Sequence, residues 1–286
     1  MKKKTYLIAL MAMALTLGSC SDNENGIGGE TSKYITVSTS IGNMTRVATD
    51  ANGGQTFEEG DEISVYAWIG APTVAPETRE RVVNNAINKL TNGSWVATPQ
   101  MLWKNNRDKH YFIGVYPISA ISDLSAGEYT FDVNKQTESD LLVAVNKDGL
   151  SYNVDEQQTV PLTFTHVMAK LVVNLTYKNQ WGGIPTVEKV VVGNAAKEAT
   201  INYLTKVVTP STTAKEDFSL PEITENTKYV SVIIPQEDVK QLTIVIGGKN
   251  FVYDNGTPFK LESGKITTVN LEVGRDEIKL GDVKIT

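Results

Sequence analysis

The chain has 286 residues, of which 41% are hydrophobic and 21% charged, and its formal charge is −6. That length and balance suit one large or two ordinary folded domains and exclude global disorder. The acidic balance excludes the basic footprint that nucleic acid or an anionic lipid surface requires. One cysteine excludes an intramolecular disulfide, and with only two histidines it leaves no basis for a His/Cys zinc site.

The chain opens with Met1-Lys-Lys-Lys-Thr5, a positive stretch, and continues with an apolar run from Tyr6 to Leu17. The run has signal-peptide length and is too short to span a bilayer. It ends in Leu17-Gly-Ser-Cys20, which resembles the lipobox of bacterial lipoproteins. That resemblance implies cleavage before Cys20 and lipidation of its thiol, so residues 1–19 read as a lipoprotein signal peptide. Loss of Lys2, Lys3 and Lys4 leaves 24 of the 27 basic residues against 33 acidic ones, a charge of −9. Ser21-Asp-Asn-Glu24 is acidic and resembles the surface-export tag of Bacteroidota lipoproteins. With the glycines that follow it forms an acidic, Gly-rich tether over residues 20–33.

Tyr34 to Ile41 alternates, with Ile35, Val37, Thr39 and Ile41 on one side, and predicts a first strand. Asn43 to Gly54 is loop-like and carries Arg46. Glu62–Trp68 predicts the next strand. Glu77–Leu90 is ambiguous, because Val82, Val83, Ala86, Ile87 and Leu90 fall at helical spacing. Asn92-Gly93 is a hairpin-turn dipeptide, however, and favours strand–turn–strand from Ala86 to Val96. Further strands are expected at Tyr111–Pro117, Glu128–Val133 and Leu141–Val145. In the second half, Leu171, Val173, Leu175 and Tyr177 alternate with Lys170, Asn174 and Thr176 and predict a half-buried strand. Strands follow at Val187–Val192, Lys228–Ile234, Gln241–Ile246, Lys249–Tyr253, Ile266–Val273 and Glu277–Ile285. Many short strands and no long helix predict an all-β sandwich architecture. The polar stretch Tyr152–Gln158 predicts a cut between domains spanning 34–157 and 158–286.

The order of several landmarks resembles the fimbrillin family, the pilins and pilus-anchor lipoproteins of Bacteroidota. They are the lipobox, Thr45-Arg46, Phe57-x-x-Gly-Asp-x-Ile-x-Val65 and Tyr111-Phe-x-x-Val-Tyr-Pro117. Asp140-Leu-Leu, Leu162-Thr-Phe-x-His-x-Met-Ala-Lys-Leu171 and Gly264-Lys-Ile-Thr-Thr-Val-Asn-Leu271 complete the set. The resemblance implies two tandem transthyretin-like β-sandwiches and assembly by strand exchange with other fimbrial subunits. It also implies an outer-membrane lipid anchor at the cell surface and an arginine-specific cut. Cleavage after Arg46 would remove Cys20 and the strand carrying Tyr34, Ile35, Val37, Thr39 and Ile41 together. The candidate donor strand lies at the other end, with Ile278, Leu280, Val283 and Ile285. Its alternation slips at Gly281-Asp282, which predicts a bulge.

No catalytic constellation, cofactor motif or metal site is evident, so an enzyme is not expected. Gly182-Gly183 and Gly247-Gly248 are turns, since no Lys-Ser or Lys-Thr helix follows. His166 is expected to be buried beside Phe164 with a satisfied ring nitrogen. A surface lipoprotein adhesin that holds a glycan, host or bacterial surface ligand and never polymerises is the alternative reading.

Overall fold

Alternating β-branched and aromatic residues, punctuated by turn dipeptides, favour sheets over helices. The computed structural model describes residues 33–42, 56–156, 158–254 and 256–286, and these are nearly all β. The leader, Cys20 and Arg46 lie outside the described residues. No helix among the described residues is long and apolar enough to cross a membrane.

The first eight strands are β1 Thr36–Ile41, β2 Glu62–Ile69, β3 Arg81–Thr91, β4 Ser94–Thr98, β5 His110–Tyr116, β6 Gly127–Thr130, β7 Leu142–Leu150 and β8 Thr159–His166. All but β6 form one seven-stranded sheet in the order β1-β8-β7-β5-β2-β3-β4. Asn92-Gly93 makes the β3–β4 hairpin, with φ of 51° and 74° at the two turn residues. The helical spacing over Glu77–Leu90 has a local cause. Val65 pairs Ala86 and Ala67 pairs Val83, so Asn84 and Asn85 oppose Tyr66 alone. Asn85 takes φ 55° in this bulge, and the inward parity slips from Val83 to Ala86. A period of two with one slip therefore imitates helical spacing.

The second half contains β9 Ala169–Tyr177, β10 Val187–Ala196, β11 Glu198–Asn202, β12 Val207–Pro210, β13 Lys215–Ser219, β14 Glu222–Thr224, β15 Lys228–Ile233, β16 Gln241–Ile246, β17 Lys249–Asp254, β18 Ile266–Val273 and β19 Ile278–Ile285. One sheet runs β14-β15-β9-β18-β19 and another β13-β10-β16-β17. Leu171, Val173 and Val269 of the first share a core with Val190, Val192 and Ile244 of the second, which is sandwich packing.

The expected cut near Tyr152–Gln158 lies in the connection between β7 and β8. Those strands pair with each other, so the chain changes sheets after His166 rather than at residue 157. The halves are also joined. β6 leaves the first sheet and pairs with β11, which in turn pairs with β12. Strand β2 is buried on both faces. Ile63, Val65 and Ala67 face the inside of the curled seven-stranded sheet, while Tyr66 and Trp68 enter the core shared with the second half.

Candidate functional site

Strand β1 is the edge of the seven-stranded sheet and carries one ladder, parallel to β8, from Thr36↔Thr159 to Ile41↔Phe164. Its alternation sends Ile35 and Val37 into the core at 1% and 6% exposure, with Ile41 packed partly against it. Burying two such side chains contributes about 1.5–3 kcal/mol each. On the outer face, Thr36 Oγ1 lies 3.2 Å from Thr159 Oγ1, and the Ser40 hydroxyl donates to Thr163 Oγ1 at 3.2 Å. Parallel pairing is slightly weaker per residue than antiparallel.

Both ends of β1 are clasped. The Ile35 amide donates to the Met101 carbonyl at 3.0 Å, and the Trp103 amide donates to the Lys33 carbonyl at 3.1 Å. Tyr34 bridges to Leu102. At the far end the Gly42 amide donates to the Phe164 carbonyl at 2.8 Å. Among the described residues the other flank of β1 carries no ladder, and it faces β4 across a groove of about 830 Å³, lined also by Phe57, Leu90 and Trp95. The sheet curls until Trp95 of β4 reaches β1, where its indole N–H donates to Thr39 Oγ1 at 3.0 Å.

Phe57 and Trp95 line the groove, and Phe57 rests on a cluster of rings behind it. The Phe57 ring meets Trp95, Tyr116 and Phe164 edge-on at 5.3, 5.4 and 5.1 Å between centroids. Phe164 fits because β5 has glycine at position 114. A Cβ there would lie 2.6 Å from the Phe164 ring.

The clasp at Met101–Trp103 rests on a buried histidine. His110 Nε2 accepts from the Lys104 amide at 3.1 Å, so Nδ1 carries the proton and donates to the Asp108 carbonyl at 3.1 Å. The Trp103 ring stands edge-on to this imidazole at 5.0 Å. Burial pushes the His110 pKa below its ordinary 6.5, because a charged ring there would lose its hydration. The unfolded chain takes up a proton near 6.5 that the folded chain refuses. The stability is therefore fully present above 6.5 and is lost as pH falls toward the folded value. Urea unfolding between about pH 7.5 and 5.5 should show an added loss of up to about 1.4 kcal/mol per pH unit, absent in His110→Gln.

Strand β19 is the edge of the five-stranded sheet and pairs antiparallel with β18. The expected bulge is present. Asn270 faces Asp282 and Leu271 faces Leu280, which leaves Gly281 as the extra residue. Ile278, Leu280, Val283 and Ile285 thus lie opposite the buried Val273, Leu271, Val269 and Thr267. Directly opposed residues share a face, so these four continue the core side of the sheet. Leu280, Val283 and Ile285 are nevertheless 36%, 38% and 39% exposed. Lys279, Asp282 and Lys284 occupy the other face.

His166 is buried, and its Nδ1 lies 2.9 Å from Asp140 Oδ1. Among the described residues, no group of three or more His, Cys, Asp or Glu could hold a metal. The two terminal strands lie at the edges of different sheets. The sequence reading missed Trp95 and Phe57 as groove residues. The signal for Trp95 was present, since the Asn92-Gly93 turn fixes β4's parity and turns Trp95 and Ala97 inward.

The profile of a family described as fimbrillin-like matches residues 45–286. Among solved structures, a candidate cell adhesion protein from Bacteroides uniformis is similar at a TM-score of 0.64 and 18% identity, covering 88% of this chain and 97% of its own. A fimbrial protein from Bacteroides vulgatus is similar at 0.53 and 14%, covering 88% and 98%. The tip fimbrial protein Mfa3 from Porphyromonas gingivalis, with a C-terminal truncation, is similar at 0.51 and 11%, covering 80% and 94%. No curated protein sequence matches this chain.

Proposed function

The chain belongs to the fimbrillin-like family, and on that premise we infer that it is a structural or accessory subunit of a cell-surface fimbria that mediates adhesion. The observation that carries this reading is the pair of terminal edge strands. β1 holds its place at a sheet edge through one parallel ladder, and β19 displays an aliphatic set of which Leu280, Val283 and Ile285 stay more than a third exposed.

In this reading Cys20 carries the lipid that holds the precursor in the outer membrane. Cleavage after Arg46 severs the anchor and β1 from the body. The vacated groove then exposes unpaired backbone groups of β8 and the Phe57, Trp95 and Phe164 rings. A strand from another subunit satisfies both, by β-augmentation. The contact is head-to-tail, so it does not close on itself and grows a fibre. The fold-level neighbours described as fimbrial or cell-adhesion proteins support the same role. The reading includes no catalytic step.

Treating the mature protein with an arginine-specific protease tests this. The expected result is one new N-terminus at Val47, followed by oligomer ladders that survive mild detergent on a non-reducing gel. A protein that resists the cut and stays monomeric supports a non-polymerising surface adhesin instead. Its binding would then be sought on arrays of glycans and host proteins.

A further inference from the structure

We propose that the β1 groove selects its incoming strand by a hydrogen-bond acceptor at the third of four inward positions, and so favours a strand from a different subunit over this chain's own β19. The inference rests on the strand-exchange reading above. Its evidence is the bond from the Trp95 indole to Thr39 Oγ1 at 3.0 Å. The inward positions of β1 read Ile35, Val37, Thr39, Ile41, so an otherwise apolar set carries one hydroxyl. An indole nitrogen has one donor and no acceptor capacity, so nothing but an acceptor satisfies it.

When β1 departs, water satisfies Trp95 in the open groove. When a new strand lies along the groove, the half-buried indole keeps only part of that hydration, so a strand that supplies an acceptor fits better than one that does not. β19 cannot do so without a cost elsewhere. In its bulged form its aliphatic set runs Ile278, Leu280, Val283, Ile285, which puts Val283 beneath the indole. Laid in the opposite direction, it puts Leu280 there. Straightening the bulge gives Ile278, Leu280, Asp282, Lys284. That supplies a carboxylate to Trp95 but carries a lysine to the partly buried Ile41 site. The occupant of best fit has Ser or Thr at the third inward position and aliphatic residues at the other three. Sites built around one polar contact discriminate by rejecting ligands that leave it unmade.

The test uses the full mature chain with a site-specific protease sequence placed between residues 43 and 55. Nicking it leaves β1 seated but no longer covalently held. Labelled peptides are then exchanged in and followed by anisotropy. They are residues 33–42, the same peptide with Thr39→Ser or Thr39→Val, and residues 277–286. The Thr and Ser peptides should bind alike, and the Val and 277–286 peptides about tenfold more weakly. Trp95→Phe in the protein should make the Thr and Val peptides equal, which a merely structural role for Thr39 would not do. Equal binding of the Thr and Val peptides to the wild-type groove overturns the proposal. So does discrimination that persists in Trp95→Phe. If not even the 33–42 peptide enters, strand exchange itself falls and this inference with it. Entry without discrimination sinks only the selection rule.

Discussion

Substituting lysine for both Val283 and Ile285 is expected to abolish oligomer formation and leave the monomer folded. The two side chains are already more than a third exposed, so the folded monomer loses little burial. Their backbone ladder to Val269 and Thr267 needs no particular side chain. Even as a weaker occupant than a strand bearing Ser or Thr, β19 seated beside Leu90, Trp95 and Phe57 would have to place those ammonium groups against rings and an indole N–H that offer no acceptor. An unpaired buried charge costs several kcal/mol, and two of them reduce assembly by more than about a thousandfold. Light scattering after chromatography reads the oligomers, and a thermal melt reads the fold. Ladders that persist in the double variant would place the donor elsewhere in the chain. A collapsed melting transition would make β19 an integral part of its own sheet.

The second large effect lies in the core behind the groove. Phe164→Ala should destabilise the protein by about 3–5 kcal/mol, because it removes a fully buried ring and leaves a cavity. The ring touches Phe57 and fills the space that Gly114 leaves, and its backbone pairs Ile41 on one flank and Ala144 on the other. The cavity therefore opens directly beneath β1. Hydrogen exchange at the β1 amides and at Gly42 should accelerate beyond the global change. Urea unfolding gives the total, with Val252→Thr on the exposed face of β17 as a control expected to stay within about 0.5 kcal/mol. Equal protection of β1 in both variants would mean that Phe164 does not support it.

Much of this arrangement is written locally in the sequence. β9 and β18 alternate cleanly because each is buried on one face and flanked by turns, so periodicity alone finds them. The Gly281 bulge is legible for the same reason, as a slip in a regular pattern. Strands β11 to β14 leave no such trace. β12 and β13 are largely exposed, and β11 contributes only Ala199 and Ile201 to the core. Its pairing with β6 joins residues about seventy apart, and no local period encodes that. The Trp95–Thr39 bond is hidden for a related reason. It exists only because a seven-stranded sheet curls far enough to bring its two edges together.

The splice between β6 and β11 bears on how such a subunit would carry a load. Two beads on a string yield one after the other, each lengthening the filament while its neighbour holds. Here a strand of the leading half is stitched into the trailing half, and one apolar interior runs beneath both. In the filament proposed above, tension across the subunit would have to part the β6–β11 pairing and the shared interior together, rather than one half before the other.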